Sequence, residues 1–216
     1  LGRGEPGLVG ILKRTGIATI EDARAKESVF GATGTSSAQY YIPAIMNRLF
    51  GTRFKLIPGF PTTTHTYLAM ERGEVDGIYG AFETILESKP QWIAEKQFNW
   101  LAQLNDVRAR DFADVPLLEE LAQSRLDKAA FRLLALARVP GKPLLLPPDV
   151  PPARIAALRA AFAAMLRDEA FIAAVAQTTQ KLEPRSWQDA ERVIRETVDT
   201  PPGVVTHVRE LLKVAN

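Results

Sequence analysis

The chain has 216 residues, 46% hydrophobic and 24% charged, a balance that suits one sizeable domain or two small lobes and excludes a disordered tail. Its 27 Lys and Arg against 25 Asp and Glu are scattered through expected helices, so no nucleic-acid partner is indicated, and no apolar run reaches the roughly 18 to 20 residues of a membrane span. The absence of cysteine excludes thiol catalysis and thiolate zinc sites.

The chain opens at Leu1 with neither Met nor a basic-then-apolar leader, and with Gly2, Gly4, Gly7 and Gly10 close together; further sequence is expected upstream. Thr19 is expected to cap a short helix, with Asp22 three positions on completing a capping box. A strand at Val29-Phe30-Gly31 then runs into the loop Gly31-Ala32-Thr33-Gly34-Thr35-Ser36-Ser37. After it Tyr40, Ile42, Ile45, Met46, Leu49 and Phe50 recur at helical spacing.

The same order repeats at once. Phe54 to Ile57 reads as a strand, Pro58 to Thr64 as a turn, and Thr66 to Arg72 as a helix closed by Gly73. Val75 to Tyr79 and Trp100 to Leu104 read as further strands, with a short helix at Trp92 to Lys96 between them. Strands alternating with helices predict βαβ units and a mainly parallel sheet. A short helix is expected after Pro116 and an Ala/Leu-rich one from Ala129 to Ala137. The stretch from Pro143 to Pro152 then changes the character of the chain. Beyond it only helices are expected, at 152–166, 168–178, 186–198 and 202–212. Such a tail cannot easily core itself, and the sheet that it covers is expected upstream. Residues 1–25 are therefore read as an inter-lobe crossover and first helix, 26–140 as a ligand-binding second lobe, and 141–216 as the helical carboxyl-terminal part of the first lobe.

Two segments carry candidate chemistry. Gly34, Thr35, Ser36 and Ser37 stand at a helix start, where open backbone N–H groups, small hydroxyls and the positive end of the helix dipole suit an anion; a plain N-cap is the alternative. Phe60, Thr62, Thr63, Thr64 and His65 repeat that construction, with an aromatic ring to wall a pocket. In parallel sheets ligands sit beyond the carboxyl ends of the strands, and both loops fall at that edge. Tyr79, Phe82 and Glu83 follow a strand end and are candidate cleft-lining residues, with core packing as their alternative. His65 is read as a first-turn residue and ligand contact, since no nucleophile motif accompanies it. The carboxylates of Glu71, Glu74, Asp76 and Glu83 lack metal-ligand spacing, and Gly31 with Gly34 does not form a dinucleotide fingerprint. No cofactor and no metal are expected.

The order of these segments resembles the Bug family of extracytoplasmic solute receptors, the binding subunits of tripartite tricarboxylate transporters. Residues 31–37 look like that family's Gly-Ser-rich loop at a helix start, and Ile57-Pro58-Gly59-Phe60-Pro61-Thr62 looks like its second loop, with Phe60-Pro61 where the family has Lys-Gly character. Leu68 to Gly77 resembles its helix ending in Gly-x-Val-Asp. Val115 to Leu118, the Pro-rich stretch with Ile155 to Arg159, and Asp168 to Phe171 continue the order. The family's first-lobe loop is not found, so the match is to its last two thirds. The resemblance implies an α/β fold of the type II periplasmic-binding kind, with one complete βαβ lobe and the helical part of the other. It also implies a periplasmic, non-enzymatic receptor that captures a small carboxylate for integral membrane permease subunits. The ligand carboxylate is expected between the helix starts at Ser36 and Thr64. The effector domain of a transcription regulator shares this architecture, and an enzyme using His65 with Glu83 is the third alternative.

Overall fold

The computed structural model describes residues 6–139, 144–178, 184 and 186–213. Its strands are β1 (Gly7–Leu12), β2 (Ser28–Gly31), β3 (Phe54–Ile57), β4 (Gly77–Ala81) and β5 (Phe98–Leu104), in one sheet of order β3-β2-β4-β1-β5. The helices are α1 (Ile20–Ala25), α2 (Ala38–Phe50), α3 (Thr63–Glu71), α4 (Phe82–Ser88), α5 (Pro90–Ala94), α6 (Leu118–Leu121), α7 (Arg125–Leu136), α8 (Pro152–Met165), α9 (Glu169–Ala176), α10 (Trp187–Val198) and α11 (Pro202–Lys213). The expected boundary at 140/141 falls on residues outside those described. Two compact units are formed: a sheet unit of residues 6–135 and 200–213, and a helical unit from 136 to 199.

In the sheet unit β2 pairs in parallel with β3 and with β4, whereas β1 is antiparallel to both β4 and β5. Four strands therefore run one way, and their carboxyl ends share one edge with the amino end of β1. The expectation of a mainly parallel sheet is corrected at β1, inside the segment read as a crossover. Its sequence Gly-Leu-Val-Gly-Ile-Leu is buried throughout. The glycines that disguise it as a loop make room for rings on the neighbouring strands: Gly7 lies under Tyr79, and a Cβ on Gly10 would come within 2.5 Å of the Trp100 ring. Glycine in a strand interior commonly marks such close approach. Gly10→Val is thus expected to destabilise the sheet unit by about 1–3 kcal/mol through overpacking. Urea denaturation followed by Trp fluorescence measures it, and an unchanged midpoint would show that the ring moves aside freely.

Alternation along each strand divides the core in two. Val9, Ile11, Phe30, Phe54 and Tyr79 face α2, α7 and α11, while Leu12, Ile78 and Phe98 face α3 and α5. Helix α1 begins as its sequence dictates: the Asp22 N–H donates to Thr19 Oγ1 (3.1 Å) and the Thr19 N–H to Asp22 Oδ2 (3.0 Å). N–H donation from Ala18, with that of Thr19 and its hydroxyl's hydrogen bond, holds the Asp22 carboxyl below the usual range. Helix α11 belongs to the sheet unit, because Val204, Val208 and Leu211 form one buried stripe. His207 Nε2 also lies 2.7 Å from Asp127 Oδ1 of α7. The helical segment expected as one piece thus divides before α11.

The helical unit has little core of its own among its described residues. Helices α8 and α9 bury no residue, and Leu158 and Ile172 are exposed. Val193 of α10 packs with Leu136 and Val139, and Arg159 lies 3.5 Å over the Trp187 ring while pairing with Glu191 (3.0 Å). Among the described residues these helices thus display apolar surface, and the two-layer rule requires apolar faces of this kind to pack on another layer.

Candidate functional site

Strands β2 and β3 lie side by side with Gly31 opposite Ile57, so the two Gly/Ser/Thr loops leave the sheet from adjacent positions. Backbone bonds join the loops just beyond the strands, from the Ala32 N–H to Ile57 O (3.0 Å) and from the Phe60 N–H to Ala32 O (3.2 Å). Helix α2 then departs over one face of the sheet and α3 over the other. Connections that diverge in this way from adjacent parallel strands leave a crevice at their carboxyl ends, where ligands bind in open α/β sheets. Gly31 permits the close packing beneath it, since a Cβ there would meet Thr66 Cγ2 at 2.5 Å and the Phe60 ring at 3.1 Å. Gly59, at φ 102°, makes the turn of the second loop.

Neither N-cap residue, Ser37 of α2 or Thr62 of α3, makes a side-chain capping bond. Among the described residues the N–H groups of Ala38 and Gln39 on α2, and of Thr63 and Thr64 on α3, have no acceptor. Such groups at a dipole's positive end attract an anion. Thr35, Ser36, Thr64 and His65 are exposed, and Gly34, Ser37, Phe60 and Thr63 half-buried. The hydroxyls of Thr35, Ser36 and Thr64 make no hydrogen bond among the described residues. Ser37 behaves otherwise than expected: its hydroxyl donates to Gly34 O (2.7 Å), so it offers an incoming anion no proton. Thr62 Oγ1 is tied to His65 Nδ1 at 2.9 Å, which fixes the imidazole on its own helix turn.

One expected lining residue, Tyr79, is corrected, and a second, Phe82, is half-buried. Tyr79 is 2% exposed within the α2-facing core, because its place in β4 turns the ring inward over Gly7. Phe82 opens α4, which follows β4 without a turn, and its ring packs edge-on against Phe112 (4.9 Å) and Trp100 (6.1 Å). Gln39, absent from the sequence reading, joins the two loops: it accepts from the Thr33 N–H (3.1 Å) and donates to Thr63 Oγ1 (3.0 Å). A glutamine at the second position of a helix reads as ordinary surface, so only the juxtaposition of the loops reveals it.

A cavity of about 300 Å3 lies elsewhere, at the amino ends of β4 and β5, lined by Leu12, Lys13, Arg14, Met70, Glu71, Trp92 and Gln97. Two of its charged groups are already engaged, Arg14 with Asp76 (3.1 Å) and Glu71 with Lys89 (2.6 Å). The crevice, with its unengaged donors, is the better candidate.

Solved structures share this fold. A TctC solute-binding protein from Polaromonas superposes with a TM-score of 0.61 at 16% identity, over 95% of this chain and 67% of its own. The chain has the fold of the TctC solute-binding proteins. An R. palustris protein with adipate gives a TM-score of 0.56 at 16% identity, over 99% and 66% of the two chains. MatC from Rhodopseudomonas palustris with bound malate gives 0.53 at 17% identity, over 99% and 67%. The type II periplasmic-binding architecture expected from the motif order is thereby borne out, and the chain spans about two thirds of the length of these TctC-fold proteins. No protein-family model and no curated protein matches the chain. Among the described residues no helix is long and apolar enough to cross a membrane.

Proposed function

We propose that the chain is the larger part of a periplasmic solute receptor of the Bug/TctC kind, which captures a small carboxylate and delivers it to the integral membrane permease subunits of a tripartite tricarboxylate-type transporter. The observation that carries this reading is the crevice between β2 and β3, where two uncapped helix starts and the free hydroxyls of Thr35, Ser36 and Thr64 converge at one sheet edge. The ligand carboxylate accepts from Ser36, Thr35 and Thr63 and from the first N–H groups of α2 and α3, with Phe60 beside it. It needs no cofactor, and the site carries out binding without bond chemistry. The dicarboxylates named with two of the similar structures, adipate and malate, make the ligand class concrete.

Calorimetric titration with adipate and malate tests this. Ser36→Ala combined with Thr63→Ala is expected to weaken binding by about tenfold or more, since charge-assisted hydrogen bonds contribute roughly 1.5–3 kcal/mol each. A thermal-shift screen gives the complementary readout, because ligand at about 100 times its dissociation constant stabilises by about 2.7 kcal/mol. Unchanged affinity in the double variant would place the site elsewhere, and no binding of any carboxylate would sink the receptor reading.

A further inference from the structure

We propose that Gln39 is a positioning residue for carboxylate binding, holding the two loops of the crevice at one spacing and orienting the Thr63 hydroxyl toward the ligand; this rests on the carboxylate-receptor reading. The amide orientation follows from its partners. The Thr33 N–H can only donate, so Gln39 Oε1 faces it at 3.1 Å, and Gln39 Nε2 therefore donates to Thr63 Oγ1 at 3.0 Å. Helical side chains lean toward their own helix's amino terminus, and from the second position of α2 this carries the amide back across the loop to the start of α3. Thr63 Oγ1 spends a lone pair on Gln39, which leaves its single proton to point away from the amide. A hydroxyl that accepts one bond is a better donor in the next. Gln39 thus turns Thr63 from an ambivalent hydroxyl into a donor suited to a carboxylate.

The same contact fixes the spacing of the crevice. Helices α2 and α3 leave on opposite faces of the sheet, and among the described residues Gln39 makes the side-chain hydrogen bond between their first turns. The backbone bonds at Ala32 and Phe60 tie the loops only at their bases. Removing the amide leaves the fold's cores untouched and lets the helix starts move independently, a cost that appears when a ligand must bridge them.

The experiment is a double-mutant cycle on adipate and malate binding, with Gln39→Leu and Thr63→Val made singly and together. Each single variant is expected to weaken binding by about tenfold, and the pair by about tenfold in total rather than a hundredfold, because one removes the Thr63 donor and the other its orientation. The unfolding midpoint of the ligand-free protein should stay within about 2 °C of wild type, since a half-exposed pair contributes little to stability. Gln39→Glu keeps the acceptor for Thr33 but has no proton for Thr63, and is expected to lose at least as much affinity; it serves if the Leu variant folds poorly. Additive losses, or wild-type affinity in Gln39→Leu and Gln39→Glu, overturn the positioning role while leaving the carboxylate reading intact. A wild-type protein that binds neither these acids nor any carboxylate in the thermal-shift screen overturns the carboxylate reading, and the role of Gln39 with it.

Discussion

Gln103→Leu is expected to cost the sheet unit about 3–5 kcal/mol. The side chain is fully buried on β5, a place where an amide is tolerated only if every polar atom is satisfied. Here each one is: Nε2 donates to Phe112 O (2.9 Å) and Val115 O (2.7 Å), and Oε1 accepts from the Ala109 N–H (2.9 Å). The backbone N–H of Gln103 adds a bond to Pro116 O at 2.9 Å. One residue thus fastens the loop of residues 105–117 to the carboxyl edge of the sheet, and with it Phe112, whose ring meets Phe82 and Trp100. Leucine has similar volume, so packing is nearly conserved; what is lost is the pairing of three backbone groups, at about 1–3 kcal/mol for each one left without a partner. Chemical denaturation gives the magnitude, and faster amide exchange at Ala109 locates it. A loss below about 1 kcal/mol would mean that water replaces the amide and that the loop is not held by it.

Local chemistry explains what was readable in advance. The Thr19/Asp22 capping box and the helix starts at Asp168 and Ser186 rest on near-neighbour interactions, and the structure has each where the residue order puts it. The two Gly/Ser/Thr loops were legible for the same reason, and their adjacency followed from the βαβ order. What escaped depends on distant partners. Strand β1 looks like a loop until Tyr79 and Trp100, about 70 and 90 residues later in the sequence, are seen to fill the space over Gly7 and Gly10. A strand end suggests exposure for Tyr79, with core packing as the alternative, and the pairing of β4 with β1 decides for the core. Gln39 has no signature of its own, and Ser37 differs from Thr35 and Ser36 only in that Gly34 O lies within its reach. A residue's type gives the bonds it is able to make, whereas the neighbours that use them come from the sheet.

Phe30→Ala is expected to be as damaging, at about 3–5 kcal/mol, and it bears on the crevice from below. Phe30 is wholly buried on β2, with its ring 4.3 Å from that of Phe54 and against Gly77, where a Cβ would come within 2.6 Å of it. It occupies the α2-facing core together with Ile42, Ile45 and Met46, so truncation empties a volume that four elements enclose. Large-to-small changes at such sites lose the transfer free energy of the ring and leave a cavity besides. Trp92 and Trp100 report on the sheet unit, and a Trp187→Phe background removes the signal of the helical unit. The stability loss should come with little change in adipate or malate affinity for the molecules that remain folded, because β2 keeps its backbone bonds to β3 and the loop bases stay joined at Ala32 and Ile57. Gln39→Leu is expected to do the reverse, weakening binding with little effect on stability. If Phe30→Ala instead abolished binding in protein that stays folded, the crevice would depend on the packing beneath β2 and not on the contacts between its loops.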